Sequence, residues 1–110
     1  MPWNIRGYDP CIPGLDSIPE PADFVVCTDC LEHIEPDYLD NVLDDLNRVT
    51  KKIGFFAIAT GPAVKILDDG RNAHLIQEGM DWWKSRLETR FKIKHAENHR
   101  RGIAFLVEAK

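Results

Sequence analysis

Apolar and polar positions along the chain divide it into short apolar runs and one amphipathic segment. Two runs, 23–29 ("DFVVCTD") and 53–60 ("IGFFAIAT"), are almost continuously apolar and rich in β-branched and aromatic residues. Such runs are typical of strands buried on both faces, as in a parallel sheet. Residues 3–9 ("WNIRGYD") and 102–109 ("GIAFLVEA") predict two more strands, and the alternation in "FKIKHAEN" predicts another.

The clearest element is a helix within "EPDYLDNVLDDLNRVTKK". Its apolar side chains recur at helical spacing and make one stripe: Leu39, Val42, Leu43, Leu46 and Val49. Pro36 suits the first position of this helix, and the acids that follow suit the positive end of its dipole. A second helix is predicted over 80–91 ("MDWWKSRLETRF"). Prolines keep residues 10–22 extended, and residues 61–79 form a long connection without a clear period.

The order of these elements predicts the fold class. Strands that alternate with helices indicate an α/β fold with a mostly parallel sheet and helices packed on it. The last two strands are joined by "HRRG" and predict an antiparallel hairpin at the C-terminal edge. With 110 residues, the chain has the length of a single domain, residues 1–110.

Composition and charge limit the classes of partner. The net charge of -4 argues against non-specific nucleic-acid binding, which depends on Lys and Arg. No apolar run approaches the ~20 residues that a membrane helix needs, and the first residues do not resemble a signal peptide. Three cysteines, an odd count, fit a reducing compartment. We therefore expect a cytoplasmic protein with no membrane and no nucleic-acid partner.

The stretch "CTDCLEHIEP", residues 27–36, concentrates the candidate chemistry. Cys27 and Cys30 have C-x-x-C spacing, and His33 and Cys11 could complete a zinc site. Against this, Cys27 falls inside a predicted strand, and no second pair of ligands exists. The motif does not begin a clear helix, which argues against a thioredoxin-type redox pair. We expect no metal site.

A second interpretation of the same stretch uses the fold. Ligands of open α/β sheets bind beyond the carboxyl ends of the strands. Thr28, Asp29 and Glu32 follow one predicted strand, and Asp9 ends another. Acids at that edge suit the hydroxyls of a ribose. The alternative is that Asp29 and Glu32 cap the next turn while His33 packs under the helix, and any one of these residues taken alone is better explained in that way.

Together, several motifs resemble the Rossmann-like S-adenosylmethionine-dependent methyltransferases. They are "YDP" (8–10), "PADFVVCTDCLEHIEP" (21–36), "LNRVTKK", and "DGRNAHLI" (69–76) followed by "WW". An apolar strand followed by the "LEHIEP" type of motif is typical of small-molecule methyltransferases of this class. The "DGRNAH" segment resembles a narrower subset that is common in phage and bacterial genomes.

The resemblance implies roles for individual residues. It implies contacts with the cofactor, S-adenosylmethionine, at Asp9, Thr28, Asp29 and Leu31. It implies substrate binding at Glu32, Arg71, Asn72 and Trp83. It implies catalytic roles for His33 and His74, with His74 as a general base. Without the resemblance, "DGRNAH" is better explained as a turn at Asp69-Gly70 with exposed polar residues, and one tryptophan of the adjacent pair belongs to the core.

One departure from the family pattern is large. Family members carry a glycine-rich loop after their first strand, and this sequence contains no G-x-G. We expect a truncated methyltransferase domain that begins at the family's second strand. Three hypotheses follow: an enzyme that methylates a small molecule after self-association or with a partner chain that supplies the missing half, a non-catalytic interaction module, or an inactive remnant.

Overall fold

The computed structural model describes Gly7 and residues 19–110. Its elements in chain order are β1 (Ala22–Thr28), two 3₁₀ turns (Leu31–His33 and Pro36–Tyr38), α1 (Leu39–Val49), β2 (Thr50–Ala59), α2 (Met80–Glu88), β3 (Phe91–His99) and β4 (Gly102–Ala109). The strand predicted at 3–9, which includes Asp9, lies outside the described residues. No described helix is long and apolar enough to cross a membrane.

The four described strands form one sheet in the order β1-β2-β4-β3. β1 and β2 pair in parallel, whereas β4 pairs antiparallel with both β2 and β3. The predicted α/β class and the antiparallel C-terminal hairpin are confirmed. One of the three described pairings is parallel, a smaller share than the prediction of a mostly parallel sheet. The short turn after β3 sends β4 back between β2 and β3, and apolar runs alone do not reveal that direction.

Both helices pack on one face of this sheet and enclose the core. The stripe on α1 points inward as predicted, with Leu39, Leu43 and Val49 buried. Alternate residues of β2 and β4 meet it, since Phe56 lies opposite Phe105 in the register. The largest fully buried side chains include Trp83, Phe56, Phe91, Phe105, Leu31, Leu43, Ile58, Leu87, Ile103 and Val107. The loop from 61 to 79 adds Ile76 to the same cluster.

The opposite face of the sheet corrects the prediction for β1. A strand buried on both faces was expected at 23–29, but Phe24 is 54% exposed and Val26 is 59% exposed. The side chains that alternate with them, Val25 and Cys27, pack against the core. β1 is an edge strand among the described strands, and both described helices lie on the other face. The apolar run therefore predicted the strand correctly, but it did not show whether both faces of the strand are buried.

Helix ends follow local chemistry. Pro36 begins the 3₁₀ turn that precedes α1, and α1 itself begins three residues later. The predicted second helix ends at Glu88 rather than at residue 91, because Phe91 turns into the core as the first residue of β3. These differences are small for predicted boundaries.

Candidate functional site

A sharp turn follows the carboxyl end of β1. Asp29 has a φ of 53°, in the left-handed region that Asp tolerates better than most residues. Its amide donates a hydrogen bond to the carbonyl of Ala57 on β2 at 3.1 Å, which fixes the turn to the sheet. The side chains of Thr28 and Asp29 are exposed. Two of the four predicted cofactor-binding residues therefore form an accessible polar rim at the edge where α/β sheets bind ligands.

The next three residues form a 3₁₀ turn that separates their side chains. Leu31 and Glu32 point into the protein, each at most 1% exposed, whereas His33 is exposed. Neither carboxylate oxygen of Glu32 has a hydrogen-bond partner. The carbonyl of Glu32 accepts a hydrogen bond from the amide of Ile76 at 3.1 Å, which draws the 61–79 loop to this turn. The site therefore combines two segments that are far apart in the sequence.

Asn72 organises that loop. Its Oδ1 accepts hydrogen bonds from the amides of Ala63 at 2.8 Å and His74 at 2.9 Å. Its Nδ2 donates to the carbonyl of Ala63 at 2.9 Å. The amide group predicted to bind substrate thus already serves three hydrogen bonds within the loop. Its observed role is to hold His74 in place.

The histidine rings of His33 and His74 meet edge to face. Their centroids are 4.8 Å apart and their planes are 79° apart. His33 Nδ1 lies 2.9 Å from the carbonyl oxygen of Ala73, and His74 Nδ1 lies 2.7 Å from that of Gly61. His33 Nε2 is 4.0 Å from Glu32 Oε2. The structure therefore brings both predicted catalytic residues beside one predicted substrate-binding residue.

Arg71 is engaged in an ion-pair network at the surface. It donates two hydrogen bonds to the carboxylate of Glu35, at 2.9 and 2.7 Å, and one to Asp69 at 2.8 Å. The guanidinium lowers the pKa of Glu35 and the pKa of Asp69, mainly through these hydrogen bonds. The two carboxylates in turn raise the pKa of Arg71. An anionic substrate would have to compete with both carboxylates for Arg71.

This network predicts a dependence of stability on pH. The lowered pKa of Glu35 and of Asp69 means that their stabilisation is present above the ordinary values of 4.5 and 3.8. It is lost as the pH falls through the lowered values. Because the pair is exposed, we expect only a small decrease in the melting temperature of Glu35→Gln at pH 7 in low salt, and a smaller one in 1 M salt.

Thermal melts of the wild type and Glu35→Gln between pH 2 and 7 test this expectation. The two curves should converge at the acidic end, where the wild-type carboxylates are protonated. Asp68→Asn is the matched control, since it removes a neighbouring exposed acid. A difference between wild type and Glu35→Gln that grows toward low pH would contradict the assignment.

Two predicted site residues are part of the core. Leu31 is 1% exposed, so only its backbone can reach a cofactor. Trp83 is fully buried, because it shares the inner face of α2 with Leu87, four residues on. Its predicted place in a substrate pocket does not fit this burial. Trp82 is the partly exposed member of the pair, and the guanidinium carbon of Arg86 lies 4.7 Å from its ring centroid.

The thiol of Cys27 is partly buried near the end of β1. A hydrogen bond with Cys30, followed by burial, raises the pKa of the Cys27 thiol. A raised pKa keeps the thiol protonated, whereas the thiolate is the nucleophile and the metal ligand. Cys11, the third candidate ligand of the zinc interpretation, lies outside the described residues.

The sequence predicted Glu32, His33 and His74 as site residues, but it did not reveal the contacts around their side chains. The backbone carbonyls that fix both rings, and the two unpaired oxygens of Glu32, depend on how the loop folds over the turn. The position of Glu32 after an apolar strand predicted an edge site, and the family resemblance predicted His33 and His74. Neither signal distinguishes a buried carboxylate from an exposed one.

Comparison with known proteins gives the fold and no family. No family model and no curated protein matches the sequence. Among solved structures, the chain is similar to the crystal structure of PH0226 protein from Pyrococcus horikoshii OT3, with a TM-score of 0.56 and 18% sequence identity. The match covers 80% of this chain and 51% of that chain, so the chain spans about half the length of this neighbour. The chain therefore has a partial Rossmann-like α/β fold.

Proposed function

We propose that this chain is part of an S-adenosylmethionine-dependent methyltransferase that acts on a small-molecule acceptor. The observation that carries the proposal is the carboxyl end of β1. There the "CTDCLEHIEP" segment presents exposed Thr28 and Asp29 at the edge where Rossmann-like sheets bind ligands, and His33 of the same segment contacts His74. When bound, S-adenosylmethionine supplies an electrophilic methyl group.

The residues present fit one side of such a cofactor. The exposed carboxylate of Asp29 suits the hydroxyls of a ribose, and Thr28 offers a further hydroxyl beside it. Asp9, the other acid proposed for the ribose, lies outside the described residues. No two glycines of the sequence lie within six residues of each other, so the methionine side of the cofactor lacks its close-approach loop. In this proposal a chain of different sequence supplies that loop.

The acceptor side of the proposed site contains His33 and His74. Methyl transfer requires in-line positioning of the acceptor and, for a hydroxyl acceptor, removal of a proton. A carbonyl oxygen next to Nδ1 of each ring accepts a hydrogen bond, so the proton resides on Nδ1. Each Nε2 then has a lone pair that can accept the proton of the acceptor. Both rings are held in this tautomer before any substrate arrives.

A second candidate function is that of an interaction module. The face of the sheet away from the helices exposes Phe24, Val26 and Leu106, and the last two flank Phe55 in one register row. Exposed apolar residues that adjoin one another favour association with another protein surface. A module of this kind would bind its partner without binding the cofactor.

The first experiment is calorimetric titration of the 110-residue chain with S-adenosylhomocysteine, together with its mass in solution. We expect micromolar binding that weakens about 10- to 100-fold in Asp29→Asn, because a charged hydrogen-bond acceptor is lost. Asparagine also tolerates the left-handed conformation at this position, so the turn is kept. Asp37→Asn, an exposed acid of the next turn, is the matched control.

The outcomes separate the two candidates. Binding that depends on Asp29 but not on Asp37 supports the methyltransferase. Absence of binding at millimolar ligand, combined with a stable dimer or a captured partner, favours the interaction module. Binding that is equally strong in Asp29→Asn would contradict the proposed position of the ribose.

A further inference from the structure

The cluster of Glu32, His33 and His74 contains a buried polar group whose hydrogen-bonding capacity is unmet. Glu32 is 0% exposed, and neither of its carboxylate oxygens has a hydrogen-bond partner. A buried carboxyl group without partners is costly, and buried charges in proteins are paired or coordinate metals. The Nε2 of His33 lies 4.0 Å from Glu32 Oε2. That distance is too long for a hydrogen bond.

The hydrogen bonds of the two histidines show which ring nitrogens carry a proton. A carbonyl oxygen only accepts, so each Nδ1 that contacts one must carry the proton. When such a ring is neutral, its Nε2 is an acceptor with a lone pair. The cluster therefore brings two imidazole rings and one buried carboxyl group together, and neither oxygen of that carboxyl group has a hydrogen-bond partner. A cation bound between the three side chains would satisfy them.

We propose that Glu32, His33 and His74 form a binding site for a divalent transition metal ion such as zinc, manganese, iron(II) or cobalt. One potential ligand atom from each residue lies within 4.8 Å of the others. Ligand atoms around a tetrahedral zinc ion are about 3.4 Å apart, given bonds of about 2.0–2.1 Å. Side-chain rotations that move the ligand atoms by roughly an ångström would bring them to the separations found around an ion.

The surroundings match those of known metal sites. Ligating histidines commonly donate their other ring N–H to a backbone carbonyl, which fixes the tautomer and the ring orientation. Ala73 and Gly61 provide such carbonyls here, at 2.9 and 2.7 Å. Two histidines with one carboxylate are typical of catalytic zinc and of non-haem iron sites. This set differs from the cysteine site considered from the sequence, with which it shares only His33.

The exposure of the ligands indicates an open site. His33 has a 44% exposed side chain and His74 is half-buried, so an ion would retain a solvent-facing coordination position. A water molecule or an acceptor hydroxyl bound there would lose its proton more readily. In the proposed methyl transfer, the ion would replace the two imidazoles as the group that activates the acceptor. The metal site itself does not depend on that proposed function.

The test is a titration of the chelator-stripped chain with Co²⁺, followed by visible absorption, and then by competition with Zn²⁺. We expect one Co²⁺ per chain, displacement by Zn²⁺ and a higher melting temperature in the presence of either ion. His33→Ala, His74→Ala and Glu32→Gln should each weaken binding by at least about tenfold. His95→Ala is the matched control, because His95 lies near a carboxylate of Glu97 at an exposed position on β3.

Each outcome decides the proposal. Binding that is lost in His74→Ala and kept in His95→Ala supports the site, and circular dichroism of the nearly isosteric Glu32→Gln confirms that a loss is not unfolding. Failure to bind at millimolar Co²⁺, or equal losses in His74→Ala and His95→Ala, would overturn it. Because the titration contains no S-adenosylhomocysteine, failure of the methyltransferase proposal leaves this result intact.

Discussion

Trp83→Ala lowers the free energy of unfolding by about 3–5 kcal/mol, the cost typical of removing a large aromatic side chain from a core. Trp83 is 0% exposed and belongs to the cluster that joins α2 to the sheet. Its neighbour Trp82 is half-buried and contacts Arg86. Trp82→Ala is therefore expected to cost about 1 kcal/mol. Two adjacent and chemically identical residues thus differ several-fold in effect.

A third variant separates packing from polarity at this position. The indole Nε1 of Trp83 is buried without a hydrogen-bond partner. Trp83→Phe removes that unpaired donor and keeps most of the apolar volume, so we expect it to cost about 1–2 kcal/mol, less than the alanine variant. Urea unfolding followed by circular dichroism measures all three variants. Equal losses for Trp82→Ala and Trp83→Ala would show that Trp83 does not anchor the core.

The tryptophan pair also shows what the sequence can predict. Adjacent residues on a helix cannot share a face, so one buried member was predictable. Which member is buried depends on the rotation of α2, and Leu87 on the same face decides it. A periodic pattern long enough to fix that rotation is absent from nine residues. By contrast, the five apolar positions of α1 fixed its orientation from the sequence alone.

For the strands too, the sequence predicted the elements but not their positions in the sheet. The apolar runs at 23–29 and 53–60 look alike, yet β2 is central and β1 is an edge strand among the described ones. Coverage of a strand depends on which elements flank it, and that is a property of the topology. The hairpin of β3 and β4 was predictable because its turn lies between two adjacent runs. The position of β4 next to β2 was not.

The location of the candidate site could be predicted from the sequence, whereas its chemistry could be predicted only in part. Residues that follow a buried strand in an α/β fold mark the ligand edge, and Glu32 was found on that basis, whereas His33 and His74 were predicted from the family resemblance. His74 joins them only because the Ile76 amide bonds to the Glu32 carbonyl and Asn72 holds the loop. These long-range contacts bring the His74 ring against the His33 ring. No local pattern in "DGRNAHLI" encodes them.

Glu32→Met raises the free energy of unfolding by about 2–4 kcal/mol in the presence of a chelator, because a buried carboxyl group without partners is replaced by an apolar side chain of similar length. A stabilising substitution at a polar site residue is the expected sign of a group retained for function. Glu97→Met is the matched control, since that glutamate is exposed and should gain nothing.

Added metal should reverse the order of stability of the wild type and Glu32→Met. A wild-type chain in metal at 100 times the dissociation constant gains about 2.7 kcal/mol, and Glu32→Met gains little because it has lost the carboxylate ligand. The difference measured in chelator should therefore shrink or change sign when Zn²⁺ is added. If Glu32→Met is destabilised in chelator by as much as other core changes, Glu32 has a partner that satisfies it within the fold. In that case the carboxylate contributes to structure, and the cation is not needed to explain its burial.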